Sequence, residues 1–153
     1  MKEKKERLNT QLESAGAEHL VLGNLLRYGI QAFITSKNFE SYDIVAFNPK
    51  NNKGIKIQVK SRWATNSSSF YINKFDSDFV IFVKLNCGKS IKQTKIYTYE
   101  DPEYYIIKTS LCKKYRKKIG QSKLILKRKK EELYLKEKIL EKNQWNLIKE
   151  YLE

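Results

Sequence analysis

Four polar residues, Glu18, Asp43, Gln58 and Lys60, have the types and spacing needed for chemistry on a phosphate ester. The alternation of Ile55-Lys-Ile-Gln-Val-Lys60 places Gln58 and Lys60 on the same face of a predicted strand. Asp43 begins the preceding strand, and Glu18 lies on the apolar face of the predicted helix before it. Carboxylate and amide oxygens are ligands that Mg²⁺ accepts, and a lysine ammonium beside the ion can hold an attacking water and offset transition-state charge. The four residues therefore predict a hydrolytic centre that uses Mg²⁺ or Mn²⁺ as its cofactor.

Each of these residues also has an ordinary structural interpretation. Glu18 can lie at the edge of the apolar helix face and reach solvent. An aspartate such as Asp43 is common in the turn before a strand. An edge strand alternates in the same way, with Gln58 and Lys60 in water. The interpretation as a site requires that all four side chains converge in the folded chain.

Other catalytic and cofactor-binding patterns do not occur in the sequence. The one histidine, His19, points about 100° away from Glu18 on a helix, which argues against a zinc site. The two cysteines, Cys87 and Cys112, lack the spacing of a metal or redox pair and are expected to be reduced thiols. The sequence has neither a glycine-rich phosphate loop nor a dinucleotide fingerprint, so no nucleotide cofactor is expected.

The elements that must position these residues are predicted from hydrophobic periodicity and turn residues. The order is a helix, three strands, a buried strand, two shorter strands and then helices, which predicts an α/β fold with a mixed sheet flanked by helices. The predicted ranges are helix 14–28, strands 30–35, 42–47, 55–61, 78–85, 95–99 and 104–108, and helices 110–119, 124–140 and 143–152. The apolar face of the first helix is predicted from the helical spacing of Ala15, Leu22, Leu25 and Leu26, and Asn143 is the predicted N-cap of the last helix. We expect one domain over residues 1–153, with a core of about 14–108 and a basic helical C-terminal extension of about 109–153.

Aromatic residues are expected to pack inside the protein rather than to contact a ligand. Strands favour aromatic residues, so Trp63 and the tyrosines and phenylalanines of the later strands are expected in the core rather than on a base-stacking surface. Trp145 lies at helical spacing from Ile148 and Leu152, and we expect it to anchor the last helix.

The net charge of +14, with an isoelectric point near 9.7, makes a polyanion the expected partner. Residues 108–130 contain eleven Lys and Arg and no Asp or Glu. Basic residues of this run, and two residues of the loop after Lys60, are the predicted DNA contacts: Arg62, Asn66, Lys113, Lys114, Arg116, Lys117, Lys118, Lys127 and Arg128. The alternative for such a run is a solvated basic surface without a partner.

A membrane is not expected as a partner or location. The longest apolar runs, 44–47 and 79–83, are far shorter than the roughly 18 residues that a spanning helix needs. No basic segment carries a stripe of Trp, Phe and Leu, and the charged N-terminus is not followed by the apolar region of a signal peptide. The chain is therefore expected in the cytoplasm.

Four short segments carry a resemblance to a known family. They are Gly16-Ala-Glu-His-Leu-Val-Leu-Gly23, Leu26-Arg-Tyr-Gly-Ile30, Tyr42-Asp-Ile-Val45 and Ile57-Gln-Val-Lys-Ser61. In this order they resemble the PD-(D/E)XK nuclease superfamily, and most of all its small single-domain members related to restriction endonucleases and Holliday-junction resolvases. The resemblance covers about residues 14–85.

The resemblance implies a restriction-endonuclease-like αβββαβ core and metal-dependent hydrolysis of phosphodiesters. It implies that Glu18 is the family's helix acid, Asp43 its metal-binding aspartate and Lys60 its catalytic lysine. Gln58 departs from the pattern, because the family has an acidic residue two positions before the lysine. A neutral amide oxygen can still coordinate Mg²⁺, but it lacks the carboxylate's charge and should bind the ion more weakly.

The predicted function is a Mg²⁺-dependent DNA endonuclease of the restriction, homing or resolvase type. Asp43 and Gln58 would hold the metal, Lys60 would position the water, and Glu18 would bind a second ion or a water. The alternatives are a catalytically inactive DNA-binding module on the same fold and an RNA-binding protein. Because cleavage of both strands needs two sites, a homodimer or higher homo-oligomer is expected.

Overall fold

A six-stranded mixed sheet is the centre of this computed structural model, which describes residues 10–37 and 41–153. The charged N-terminus, for which no signal peptide is expected, lies outside the described residues. In chain order the elements are α1 (Thr10–Arg27), β1 (Gln31–Ile34), β2 (Ile44–Asn48), β3 (Lys53–Ala64), β4 (Ser69–Tyr71), β5 (Phe79–Ile91), β6 (Thr94–Tyr97), β7 (Glu103–Lys108), α2 (Thr109–Tyr115), β8 (Lys117–Ile119), β9 (Gln121–Ile125), β10 (Lys127–Lys129), β11 (Glu132–Leu135), β12 (Lys138–Leu140) and α3 (Asn146–Leu152).

The central sheet has the strand order β1-β2-β3-β5-β6, and β7 pairs with β5. The β2–β3 hairpin is antiparallel, and Asn52 in its turn has a φ of 57°. β3 and β5 are parallel, with Lys60 beside Phe82. The predicted mixed sheet is confirmed, and so are the first helix and the strands predicted before residue 109, although β3 and β5 are longer than expected.

The helix α1 covers one face of the central sheet through side chains four residues apart. Ala17, Val21 and Leu25 are fully buried, whereas Ala15 and Leu26, which periodicity placed on the apolar face, are exposed. The buried face is therefore rotated relative to the predicted one. The first core cluster joins α1, the sheet and α3, and its larger members include Leu25, Ile44, Ile55, Ile57, Phe79, Ile81, Trp145, Ile148 and Leu152.

A second core cluster fills the opposite face of the central sheet. It lies between β5 and β7 on one side and α2 with two three-stranded sheets, β4-β9-β8 and β10-β11-β12, on the other. Its buried members are Phe70, Ile72, Val80, Phe82, Tyr105, Ile107, Cys112, Leu124, Leu126, Leu133 and Leu135. The central sheet is thus covered on both faces, but by different kinds of structure.

The C-terminal region is not the basic helical extension that its composition predicts. The helix predicted at 110–119 ends at Tyr115, and the helix predicted at 124–140 is wrong, because this stretch forms β9 to β12. The last helix is confirmed as α3, and Trp145 is buried at its start. Asn143, the predicted N-cap, has a φ of 60° and lies two residues before the actual cap residue.

The leucines of this region are buried with the period of a strand. Leu124 and Leu126 are buried with an exposed residue between them, and Leu133 and Leu135 repeat this spacing in β11. Lys130, with a φ of 53°, lies in the turn between β10 and β11. Segments rich in Leu, Lys and Glu have high helix propensity, but packing against a sheet overrides this weak preference.

The connection between β3 and β5 differs from the αβββαβ order that the resemblance implies. Residues 65–78 contain β4 and no helix, so an extended crossing segment joins the two parallel strands. In the β4–β9 pair Phe70 lies opposite Leu124, and Ile72 donates its N–H to the Ser122 carbonyl at 3.0 Å. The crossing segment is therefore held in place by the C-terminal part of the chain.

Candidate active site

Asp43 lies directly before β2 and is held by the strands on both sides of it. Its N–H donates to the Ile57 carbonyl at 2.9 Å, and its carbonyl accepts hydrogen bonds from the N–H and the hydroxyl of Thr35 at 2.9 and 3.1 Å. Its carboxylate Oδ2 accepts a 2.7 Å hydrogen bond from the Val59 N–H of β3. The carboxylate is therefore fixed against the middle of β3.

Lys60 follows Val59 on β3 and interacts electrostatically with Asp43. Burial raises the pKa of Asp43 above its ordinary value, although the hydrogen bond from Val59 and the charge of Lys60 oppose this shift. Burial lowers the pKa of Lys60, the Asp43 charge opposes the change, and the Arg62 charge adds to it. Both charges are thus held in a partly desolvated place, where each stabilises the other.

Glu18 approaches Asp43 from α1. Burial first, and the charge of Asp43 second, raise the pKa of Glu18, while His19 and Lys37 oppose this shift. Glu18 and Asp43 line the same open cleft of about 330 Å³ between α1 and the residues before β2. Glu18 is half-buried, so it lies at the edge of the apolar helix face and still belongs to the cleft.

Gln58 is buried, with 8% of its surface exposed, and its position on β3 puts it on the same face as Lys60. Its Oε1 atom accepts no hydrogen bond from the described part of the chain. A buried polar atom without a partner costs about 1–3 kcal/mol, so this oxygen favours a cation or a water beside it. Gln58 does not line the cleft of Glu18 and Asp43, but the residue after it, Val59, is the one bonded to the Asp43 carboxylate.

The oxygen atoms available here fit a hard divalent cation. Mg²⁺ is usually bound through one or two carboxylates and keeps several waters, and Glu18, Asp43 and Gln58 supply two carboxylates and one unpartnered amide oxygen. Among residues 10–37 and 41–153 no three His, Cys, Asp or Glu form a metal-binding group. The fold places Glu18 and Asp43 on one cleft and puts Lys60 next to Val59, whose N–H binds Asp43, whereas the roles of all four residues in a catalytic site stay a prediction.

The predicted DNA contacts are spread over the end of β3, the loop after it, α2 and the two small sheets. The loop expected directly after Lys60 begins only after Ala64, so Arg62 is a strand residue. Arg62 donates from Nε to the Ser69 carbonyl at 2.9 Å, and its guanidinium lies 5.6 Å from the centre of the Tyr71 ring. Asn66 is exposed, and Arg116 is half-buried. The other predicted contacts are exposed: Lys113, Lys114, Lys117, Lys118, Lys127 and Arg128. The charges therefore form a dispersed surface instead of a helix stripe, and their role in DNA binding stays a prediction.

Three residues near the site are not identified by the sequence patterns. Lys123 lies 5.1 Å from the centre of the Tyr71 ring, so this ring contacts both Lys123 and Arg62. The β4–β9 pairing places Tyr71 opposite Lys123, and no local sequence signal reports such a distant pairing. The third residue is Thr35, whose hydroxyl fixes Asp43; its only signal is a threonine at the end of a predicted strand.

Comparisons with known proteins support the fold. No family model and no curated protein sequence matches this chain, so the resemblance to the PD-(D/E)XK superfamily stays a prediction. The structure is similar to that of the bacterial homing endonuclease I-Ssp6803I, with 17% sequence identity, 94% of each chain covered and a TM-score of 0.58. It is also similar to that of Hjc, a Holliday junction resolvase from Archaeoglobus fulgidus, with 15% identity, 74% of this chain and 84% of that chain covered, and a TM-score of 0.47. The likeness to the homing endonuclease confirms the predicted α/β fold class.

Proposed function

We propose that this chain is a divalent-metal-dependent DNA endonuclease that hydrolyses phosphodiester bonds. The observation that carries the proposal is that the Asp43 carboxylate, which shares one open cleft with Glu18, is hydrogen-bonded to the Val59 N–H, directly before Lys60 on β3. Isolated charges on a surface are not expected to have shifted pKa values. Charged groups with shifted pKa values that cluster at a cleft are typical of catalytic sites. The fold shared with a homing endonuclease supports the same reaction class by analogy.

Glu18, Asp43 and Gln58 are the residues that would hold Mg²⁺ or Mn²⁺. The bound ion would supply Lewis-acid polarisation of the phosphate and a lower pKa for an attacking water. The hydrogen bond from Val59 N–H orients the Asp43 carboxylate before any ion arrives. Gln58 contributes an oxygen that is already desolvated and lacks a donor among the described residues, so ion binding would not break an existing protein hydrogen bond at this atom.

Lys60 is the residue proposed to act on the reacting groups. Its ammonium donates hydrogen bonds to the attacking water and to a phosphate oxygen, and it offsets the charge that develops on the phosphate. The Asp43 carboxylate stabilises the protonated form of Lys60, against the effect of burial. Lys60 can therefore stay a hydrogen-bond donor in a site that is partly shielded from water.

DNA is the proposed substrate, and a second copy of the chain is the proposed partner. The exposed basic residues of α2 and the small sheets would bind phosphates, which fixes the orientation of the duplex without reading its sequence. A homodimer or higher homo-oligomer would supply the second site required for cutting both strands. Across residues 10–37 and 41–153, no helix is both long and apolar enough to cross a membrane. A cytoplasmic location is part of the proposal.

A catalytically inactive DNA-binding module is the second candidate, and Gln58 is the observation that favours it. The amide replaces the acidic residue that the family pattern has at this position, and it leaves two carboxylates for a metal ion. A chain with a weaker metal site would still bind DNA through the same basic surface, but it would cut the DNA slowly or not at all.

Cleavage of supercoiled plasmid DNA distinguishes these two candidates. The chain is incubated with plasmid in Mg²⁺, in Mn²⁺ and in a chelator, and nicked and linear products are measured over time. The endonuclease predicts products with metal and none in the chelator. Tight plasmid binding without products in either metal would establish the inactive module instead, and cleavage that persists in the chelator would exclude the proposed mechanism.

A further inference from the structure

Three aromatic residues form a line on the surface beyond the candidate active site. The Trp63 and Tyr97 rings meet edge to face with centres 5.4 Å apart, and the Tyr97 and Tyr99 rings are stacked with centres 5.9 Å apart. Tyr97 is 55% exposed and Tyr99 is 76% exposed, so the expectation that the later-strand aromatics lie in the core is wrong for these two. We call Trp63, Tyr97 and Tyr99 the aromatic ladder.

The fold holds this ladder in place by backbone contacts. Tyr97 pairs with Gly88 of β5, where φ is 144°, and a side chain at Gly88 would clash with the Ile96 carbonyl oxygen. The pairing continues past β6, because Thr98 donates its N–H to the Cys87 carbonyl at 3.0 Å. Residues at alternate positions of an extended segment share a face, so Tyr97 and Tyr99 project side by side.

The ladder begins on the strand that carries the proposed catalytic lysine. Trp63 is three residues after Lys60 on β3, and a strand rises about 3.3 Å per residue, so the two positions are about 10 Å apart along the strand. Duplex DNA advances about 3.4 Å per base pair, which makes this span about three base pairs. On a regular strand, residues three apart point to opposite faces, but the β3–β5 register shifts between Arg62 and Ala64 and interrupts this alternation at Trp63. Lys60 and the ladder are therefore related by their short distance along β3.

Positive charges lie around the Trp63 end of the ladder, and they suit a polyanion. The Lys95 ammonium lies 4.3 Å from the centre of the Trp63 ring. Lys89 and Lys92 are exposed on the same hairpin, and the acidic residues 100 and 101 come only after the last ring. Lys95 therefore lies at the Trp63 end of the ladder, and Glu100 and Asp101 follow its Tyr99 end.

We propose that the aromatic ladder binds unpaired bases of DNA next to the cleavage site, so that the substrate is a duplex with a single-stranded segment. This proposal rests on the proposed DNA endonuclease function. Ring faces exposed beside lysines are the features that bind single strands, because the bases stack on the rings and the lysines contact the phosphates. In a fully paired duplex the base faces are occupied by stacking on each other, so they cannot use the ladder.

The test compares two DNA substrates in a chelator, where binding is measured without cleavage. One is a fully paired duplex, and the other is the same duplex with an unpaired arm. Stacking of one base contributes enough to predict about fivefold or greater preference for the arm-bearing DNA by the unmodified chain. Tyr97→Ala and Tyr99→Ala should each remove most of this preference and leave the affinity for paired DNA within about twofold.

Two further variants make the test specific. Tyr99→Phe keeps the ring and should keep the preference. Tyr151→Ala is the control, because Tyr151 is 41% exposed with Lys53 over its ring but lies outside the ladder, and this change should leave the preference intact. Trp63 fluorescence should also fall when the arm-bearing DNA binds. The change can be assigned to Trp63, because Trp145 is 1% exposed and contributes a constant background.

Several outcomes would overturn the proposal. Equal dissociation constants for the two substrates would do so, as would tyrosine variants that weaken both substrates equally. A stronger preference for an RNA arm than for a DNA arm at the same salt would overturn the assignment to DNA. A change in oligomeric mass without a change in DNA affinity would make the ladder a protein contact instead. Binding is read in the chelator, so failure of plasmid cleavage and failure of the ladder are distinguishable.

Discussion

The candidate active site and the basic C-terminal region place charge in opposite ways. At the site, Asp43, Glu18 and Lys60 are partly buried. Burial raises the pKa of the two carboxyl groups and lowers the pKa of the lysine, so it favours the neutral form of each. In the C-terminal region the lysines of α2, β8 and β10 are exposed and distributed over three elements. At the site, each charge loses free energy of hydration and depends on its particular partners. In the C-terminal region, each charge keeps its hydration, and a neighbouring charge can replace it.

This difference predicts how the two regions respond to substitution. A buried charge with a single defined partner cannot be replaced by a neighbour, so removal of one group should affect chemistry strongly. Exposed charges act through their sum, and salt screens them. Removal of one such charge should change affinity slightly, and removal of several should change it in proportion to the number of phosphates that are no longer neutralised.

The largest expected effect is on cleavage by the site variants Lys60→Ala and Asp43→Asn. Each should lower the plasmid cleavage rate by about 100-fold or more, because each removes a group that acts on the transition state or the metal. DNA affinity in a chelator should change little. Lys56→Ala is the matched control, since Lys56 lies on the same strand, is exposed and does not line the cleft. Full activity of Asp43→Asn would contradict the proposed site.

The next effect concerns the basic region. Reversal of charge at Lys113, Lys114, Lys117 and Lys118 together should weaken DNA binding and flatten the plot of log K against log salt. Each phosphate that is no longer neutralised should reduce the slope by roughly 0.9. The control reverses an equal number of exposed basic residues elsewhere: Arg27, Lys50, Lys53 and Lys149. An unchanged slope in the first variant would show that the region is only a solvated surface.

A smaller effect is expected where the sequence departs from the family pattern. Gln58→Glu adds a negative charge beside the proposed metal and should lower the Mg²⁺ concentration for half-maximal cleavage by up to about tenfold. The maximal rate need not rise, because a tighter ion can also stabilise the ground state. Gln31→Glu, at an exposed position on β1, is the control. If both variants show the metal dependence of the unmodified chain, Gln58 is not a ligand.

The smallest effect is on stability, and it has the opposite sign to the effect on cleavage. The raised pKa of Asp43 means that its ionised form is less favourable in the folded chain than in the unfolded chain. Asp43→Asn keeps an acceptor for the Val59 N–H and removes this charge, so in a chelator at neutral pH it should raise the melting temperature. The gain should shrink as the pH falls through the folded pKa of Asp43 toward 3.8, its ordinary value. Asp76→Asn, at an exposed position, should show no such gain.

Local pattern was sufficient for the half of the fold that carries the site. The apolar spacing of α1 and the alternation of β2 and β3 predict these elements, and the order of Glu18, Asp43 and Lys60 on them follows. The placement of Asp43 beside Val59 and Lys60 depends on the β2–β3 register, which the alternation of either strand alone does not predict. The buried face of α1 is rotated relative to the predicted one, so periodicity alone predicts that a helix forms better than it predicts which face is buried.

Local pattern failed where partners are distant in sequence. The segment 124–140 has the composition of a helix, but Leu124 packs as a strand residue because β4 is available to pair with β9. The exposed Tyr97 and Tyr99 have the composition of core strand residues, and only the edge position of β6 leaves them in solvent. For Leu124 the deciding contact joins segments that are distant in sequence, and for the two tyrosines the deciding fact is that β6 ends the strand order among the described residues.

The extended crossing segment between β3 and β5 also determines when the protein can fold. Its strand β4 pairs with β9, and the first core is completed by Trp145, Ile148 and Leu152 near the end of the chain. Contacts of such high contact order form slowly, since a long loop must close before they stabilise anything. During synthesis the parallel pair β3–β5 therefore lacks the packing on its second face until residues 121–135 have left the ribosome.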